Sequence, residues 1–235
     1  MTRDCGPHAA QAALAARTVA EARAAQERLR ACVRMEPPTP WPPRIVAGLD
    51  VAAPRGRAEV VAAAVAMDWV TLVVLAEAHA VVPVTFPYVP GFLAFRELPA
   101  LDAALRRLRV RPDLVLCDGH GRAHPRRFGL ACLAGLLWNR PTIGCAKSIL
   151  VGELAAPLAP HRGARAPLVD GGETIGWAVR TRAGVRPVYV SVGHGIDDEH
   201  AIAAVLHLAR TRLPEALRRA DGRVRALARA RYGSG

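Results

Sequence analysis

Apolar side chains return near one helical face between residues 8 and 33, at Leu14, Val19, Ala22, Ala25, Leu29 and Val33, and no proline or glycine interrupts that span. A period of about 3.6 residues in an alanine-rich segment predicts a leading amphipathic helix. The stretch Pro37-Pro38-Thr39-Pro40-Trp41-Pro42-Pro43 cannot continue it. Each proline lacks a donor and its ring collides with the preceding turn, so an extended connection is predicted. Short valine-rich runs follow at 44–51, 60–66, 69–75 and 80–85. They are too short for stable helices and favour β-branched residues, so each is predicted as a strand.

From Gly91 the period changes. Residues 98–108 have helical spacing, 113–117 read as a short buried strand, and a helical pattern runs from 125 to 138. Strands at 141–145, 174–180 and 188–190 and helices at 198–212 and 214–230 complete the prediction, with no internal repeat. Sequential strands followed by alternating strand and helix predict an α/β fold, a mixed central sheet flanked by helices. A single domain is expected over residues 1–235, with a leading helix to residue 36, a proline-rich connection at 37–43 and a core at 44–230.

Composition agrees with one core: 235 residues at 51% hydrophobic content lie within the size range that a single core can serve. The apolar run 69–76 is far short of the ~20 residues that cross a bilayer, and nothing at the start resembles a secretion signal. A soluble protein of the reducing cytoplasm, without membrane association, is the expectation. Cys5, Cys32, Cys117, Cys132 and Cys145 contain no Cys-x-x-Cys pair. Neither a disulfide framework nor a zinc site is therefore predicted, and the five read as small buried hydrophobes.

Thirty-two Lys+Arg against twenty Asp+Glu give a formal charge of +12, which suits a polyanionic partner. Arginine in an alanine-rich chain is equally the mark of a biased genome. Lys147 is the sole lysine, which singles out a position where a compact ammonium serves and a planar guanidinium does not.

Candidate chemistry sits at strand ends. Asp50 closes one apolar strand and Asp118 another, just before Gly119-His120-Gly121. A carboxylate there must be met by a cation or by donors. Two such groups can hold Mg²⁺, which prefers oxygen ligands, or can each cap a turn. In Phe86-Pro87-Tyr88-Val89-Pro90-Gly91-Phe92, prolines on both sides stiffen the backbone around Tyr88. A rigid exposed ring can enter a base stack and fill the gap left by an extruded base, or it can pack on the core. Gly91, Gly119 and Gly121 allow a ligand close to backbone donors. His124 and His194 follow tight turns and are candidates for phosphate binding or proton transfer.

Four of these segments together resemble the endonuclease V family of ribonuclease H-like repair nucleases, over 45–221. They are the run from Val46 to Ala52, the run from Pro87 to Glu97, Asp118-Gly119-His120-Gly121-Arg122-Ala123-His124-Pro125, and Pro141-Thr142-Ile143-Gly144-Cys145-Ala146-Lys147. The resemblance implies that Asp50 and Asp118 hold the catalytic Mg²⁺ (or Mn²⁺). It further implies that Glu97 binds metal or orients water, and that Lys147 contacts phosphate. By the same resemblance Tyr88, with Pro87, Val89 and Pro90, forms the wedge. Gly91, Leu93, Gly119, Gly121, His124, Ala146 and Leu150 line the pocket for the flipped base. Ser191-Val192-Gly193-His194 resembles the family's Ser-Pro-Gly-His, implying a phosphate contact for His194. The segment 213–221 departs from the family pattern at Ala216 and Leu217 yet places Asp221 as a last site carboxylate.

The implied activity is cleavage of deoxyinosine-containing DNA at the second phosphodiester 3′ to the lesion, leaving a 3′-hydroxyl and a 5′-phosphate. Two alternatives stay open: a ribonuclease acting on inosine-containing RNA, and a non-catalytic nucleic-acid binder on the same scaffold.

Overall fold

The computed structural model describes residues 5–53 and 56–233, so residues 1–4 of the predicted leading segment lie outside it. The N-terminal segment is two helices, α1 (Pro7–Ala13) and α2 (Val19–Leu29), followed by a 3₁₀ turn at Arg30–Cys32. The predicted single helix breaks because Thr18 and Glu21 form a capping box. Thr18 Oγ1 accepts from Glu21 N at 3.2 Å, and Glu21 Oε2 accepts from Thr18 N at 3.1 Å. That exchange satisfies donors a new helix start leaves open. A second correction concerns the cysteines. Cys5 and Cys32 form a disulfide that ties the ends of this helix pair, whereas Cys117, Cys132 and Cys145 are buried thiols as predicted.

The core continues through β1 (Ile45–Ala52), β2 (Glu59–Asp68), β3 (Val74–Pro83), α3 (Leu93–Arg106), β4 (Leu114–Cys117), α4 (Leu130–Trp138) and β5 (Thr142–Ala146). It ends with β6 (Glu153–Leu154), β7 (Arg165–Asp170), β8 (Glu173–Val179), β9 (Val188–His194), α5 (Asp198–Leu208) and α6 (Glu215–Tyr232). One nine-stranded mixed sheet has the order β3-β2-β1-β4-β5-β9-β8-β7-β6. Strands β1, β4 and β5 run parallel at its centre, and the remaining pairings are antiparallel.

Several predicted boundaries move, each for a local reason. Residues 69–73 form a turn rather than a strand, because Asp68 Oδ1 accepts from Val70 N, Thr71 N and Thr71 Oγ1. The strand pattern at 80–85 is then the end of β3. The predicted helix at 125–138 starts only at Leu130. Arg127 has φ +56° and Gly129 is extended, neither of which a helix accommodates. Strands β6 and β7 escaped the sequence reading because they are short, half-polar and contain Pro167.

Alternation along β1 separates two cores. Ala47 and Leu49 join the cluster under α1–α4, with Leu29, Leu98 and Leu133. Val46 joins the opposite cluster with Leu116, Ile143, Val205 and Leu217 of the α5–α6 side. Both faces being covered explains why β4 and β5 are buried throughout and apolar but for Thr142. Among the described residues no helix is long and apolar enough to cross a membrane.

Candidate active site

The period of two that sends Val46 toward α6 sends Gly48 and Asp50 there as well. Gly48 lets α6 lie directly on the strand, since a Cβ there would stand 2.3 Å from Ala216 C. One turn further along α6, Asp221 reaches the carboxylates at the ends of the parallel strands. Ligand oxygens of Asp50, Asp118 and Asp221 all lie within 4.8 Å of one another. All three are among the carboxylates singled out in the sequence. Asp221 completes the trio, and Glu97 lines the adjoining cavity together with Asp50 and Asp118.

Burial, then the neighbouring Asp118 charge, pushes the Asp50 carboxyl well above the ordinary carboxylate range. Asp50 Oδ1 accepts one backbone bond, from Val51 N at 2.7 Å. Burial and then Asp118 likewise raise Glu97 to about 7. Like charges in a low-dielectric setting resist ionisation unless a cation joins them. Lys147 Nζ donates to Asp118 Oδ2 and, at 3.2 Å, to Asp221 Oδ1. Arg225 adds a bond to Asp221 Oδ1 at 2.9 Å. Burial alone would lower the Lys147 pKa, but its bond to Asp118 and the charges of Asp118, Asp50 and Asp221 raise it on balance. An oxygen-only donor set of this size suits a hard divalent cation.

A cavity of about 380 Å³ opens beside the trio, toward the lower end of the ~300–1,000 Å³ typical of small-molecule sites. Of the predicted pocket residues, Gly91, Leu93, Gly119, His124 and Leu150 line it, together with Tyr88 and Pro90 of the predicted wedge. Gly121 and Ala146 do not. A Cβ on Gly121 would stand 2.0 Å from Val192 O, so that glycine serves the packing of its loop on β9. Ala146 is buried in β5 opposite Tyr189. Sequence reasoning missed Gln26, His120, Ser148 and Ile149, all in the wall. A glutamine on the otherwise apolar stripe of α2, with Ala22, Ala25 and Leu29, was the legible signal for the first.

His194 lies elsewhere on the sheet. It pairs with Thr142 at the start of β5, the end of that strand remote from Lys147. There it is 4% exposed, and its Nδ1 accepts from Arg34 N at 3.3 Å. It belongs to the packing between β9 and the N-terminal segment, away from the carboxylates.

The predicted wedge loop is held at both ends. Phe86 is buried against Phe95, with ring centroids 5.6 Å apart, and its carbonyl accepts from Arg96 Nη1 at 2.9 Å. Between the anchors Tyr88 is 69% exposed at the cavity mouth, near exposed Ile149 and Leu150.

A mixed sheet whose parallel centre presents clustered aspartates at its carboxyl ends, with a helix supplying one of them, defines the ribonuclease H-like class of nucleases. The comparisons carry this to a family. The Endonuclease V family profile matches residues 27–222. Endonuclease V of Streptomyces avermitilis is 53% identical over 207 residues, 87% of this chain and 90% of that one. A crystal structure of Endonuclease V from the same organism superposes with a TM-score of 0.86 at 50% identity, covering 92% of this chain and 96% of that chain. A Ciona intestinalis Endonuclease V in complex with a 23mer DNA containing an inosine followed by a ribo-adenosine gives a TM-score of 0.79 at 25% identity, over 90% and 97%. The chain belongs to the Endonuclease V family.

Proposed function

We propose that this chain is a Mg²⁺-dependent endonuclease, with Mn²⁺ able to substitute, that recognises hypoxanthine in DNA. It hydrolyses the second phosphodiester 3′ to the lesion and leaves a 3′-hydroxyl and a 5′-phosphate. The observation that carries this reading is the convergence of Asp50, Asp118 and Asp221 beside a cavity whose mouth bears Tyr88. A relative bound to inosine-containing DNA adds support.

Asp50, Asp118 and Asp221 would hold a divalent cation, which would lower the pKa of the attacking water and offset charge building on phosphorus. Lys147 contributes a further positive charge beside the same oxygens. Glu97, held near neutrality at about 7, is suited to orient the water and hold its proton. Water attacks phosphorus, the bond to the 3′ oxygen breaks, and that oxygen leaves as the hydroxyl without a covalent enzyme intermediate. Selectivity follows from donor placement. Adenine presents an amino group where hypoxanthine has O6, so backbone N–H groups of the glycine-lined wall favour hypoxanthine. A close wall excludes the extra amino group of guanine.

Incubation with an inosine duplex and an identical undamaged duplex, in Mg²⁺ or EDTA with product ends mapped, tests the reading. Cleavage of the inosine strand only, and only with Mg²⁺, is expected; an intact inosine strand in Mg²⁺ overturns it. The ribo-adenosine beside inosine in the Ciona complex favours one further arm, inosine-containing RNA, since a 2′-hydroxyl decides between the two polymers.

Tyr88→Ala should weaken action on duplex by about 10-fold or more, the worth of one stacked ring, with a smaller loss on single strands, which need no gap filled. Steady-state kinetics on both substrates check this, and equal losses on the two would remove the wedge role.

A further inference from the structure

The leading helices have no role in the chemistry above, yet α2 sends one side chain through the core into the cavity wall. Gln26 is 1% exposed, on the face of α2 that buries Ala22, Ala25 and Leu29. Its Nε2 donates to Gly91 O and to Phe128 O, each at 3.0 Å, and its Oε1 accepts from Arg126 Nε at 2.5 Å. Both amide hydrogens are used. The partners also set the orientation of the amide, because two carbonyls can only accept and a guanidinium N–H can only donate.

Gly91 O receives two more donors, Arg126 Nη2 at 2.9 Å and His124 Nε2 at 2.8 Å. His124 Nδ1 accepts from Arg126 N at 3.1 Å, so Nε2 carries the ring proton. The Arg126 guanidinium also lies 4.2 Å over the Phe92 ring. Three donors from α2 and the 124–126 turn thus converge on one carbonyl, three residues after Tyr88, where φ of +80° requires glycine. A carbonyl has two lone pairs, so this one has no capacity left for a base. It is a fixed post of the loop rather than a reader of the ligand.

We infer that Gln26 is a positioning residue: the N-terminal helix pair holds the Gly91 end of the recognition loop in place through its amide, which sets Tyr88 and the adjacent cavity wall. The inference rests on the reading of this cavity as a base-recognition site, and it would apply to any extruded purine nucleotide. Gln26→Met keeps length and volume but removes all three bonds. Gln26→Glu sets a carboxylate oxygen against two carbonyls.

Hydrogen exchange of the substrate-free protein reads the loop directly. In Gln26→Met, amides of residues 86–95 should exchange about tenfold faster, the worth of one buried hydrogen bond, while β1 and β4 stay as in the parent. On an inosine duplex, KM should rise about tenfold with kcat little changed, and an inosine single strand should be affected less. A merely structural role would instead lower the active fraction on both substrates alike. If Gln26→Met does not fold, Arg126→Lys, which keeps the charge and loses the fork, should shift both readouts the same way. Unchanged exchange over 86–95, or equal losses on duplex and single strand, overturns the inference. A parent protein that leaves inosine DNA intact overturns the proposed function, and the exchange result then still decides the role of Gln26.

Discussion

An Asp50→Asn variant loses strand cleavage by on the order of 10³-fold, the rate equivalent of the roughly 4 kcal/mol that an intact cation site contributes to the transition state. Binding of an inosine duplex persists. The side chain is 8% exposed, and its oxygens converge with those of Asp118 and Asp221. Asparagine keeps its shape and its ability to accept from Val51 N, yet it lacks the charge that balances a divalent ion. Asp118→Asn should cost as much and also weaken the hold on Lys147, which bonds that carboxylate. Single-turnover cleavage in Mg²⁺, set beside duplex binding in EDTA, checks both variants. Near-parental cleavage by either would dismiss the assigned cation site.

The largest stability effect is expected away from the chemistry, at Gly48→Ala. Its Cβ would lie 2.3 Å from Ala216 C, 2.4 Å from Leu217 N and 2.5 Å from Ala216 O, all of them backbone atoms of α6. No rotamer relieves such a contact, so the helix must move. The loss should be about 3 kcal/mol, at the upper end for overpacking in a core. Because Asp221 rides on α6, Mg²⁺ affinity should fall with it. Gly222→Ala in the same helix makes the contrast, since its Cβ meets nothing within 4 Å. That change should stabilise by about 0.5–1 kcal/mol, through helix propensity and a less flexible unfolded chain. Chemical denaturation of the two variants measures the difference, and parental stability in Gly48→Ala would contradict the close helix–strand contact.

Where the chain obeyed a simple period, its sequence was a sound guide. The central strands β1, β4 and β5 are short apolar runs because both faces of the sheet are covered, and helices α5 and α6 follow the predicted spacing closely. Where local side-chain bonds competed with the period, the reading slipped. Thr18 and Glu21 cut one helix into two, and Asp68 with Thr71 turned a valine-rich run into a hairpin. The Cys5–Cys32 pair was invisible for another reason: 27 positions of chain separate the two residues, and only the folding back of α1 on α2 brings them together.

The candidate site divides in the same way. Asp50, Asp118, Lys147 and the proline-bracketed Tyr88 were legible because an ionisable group after an apolar strand, a sole lysine and a stiffened loop each break a local expectation. Glycines were ambiguous. Gly91 and Gly119 border the cavity, while Gly121 of the same motif packs closely on Val192 outside its lining. Residue types and their order along the chain determined the α/β class, the carboxylate chemistry and the exposed ring. Tertiary structure alone decided how close Asp221 comes to the two strand aspartates, that His194 lies at the end of β9 paired with the start of β5, and that Gln26 reaches the loop 65 positions away. Local patterns record which face of an element is buried. Which groups then meet depends on how α6 and α2 pack across that face, and this is settled by contacts between residues far apart in the chain.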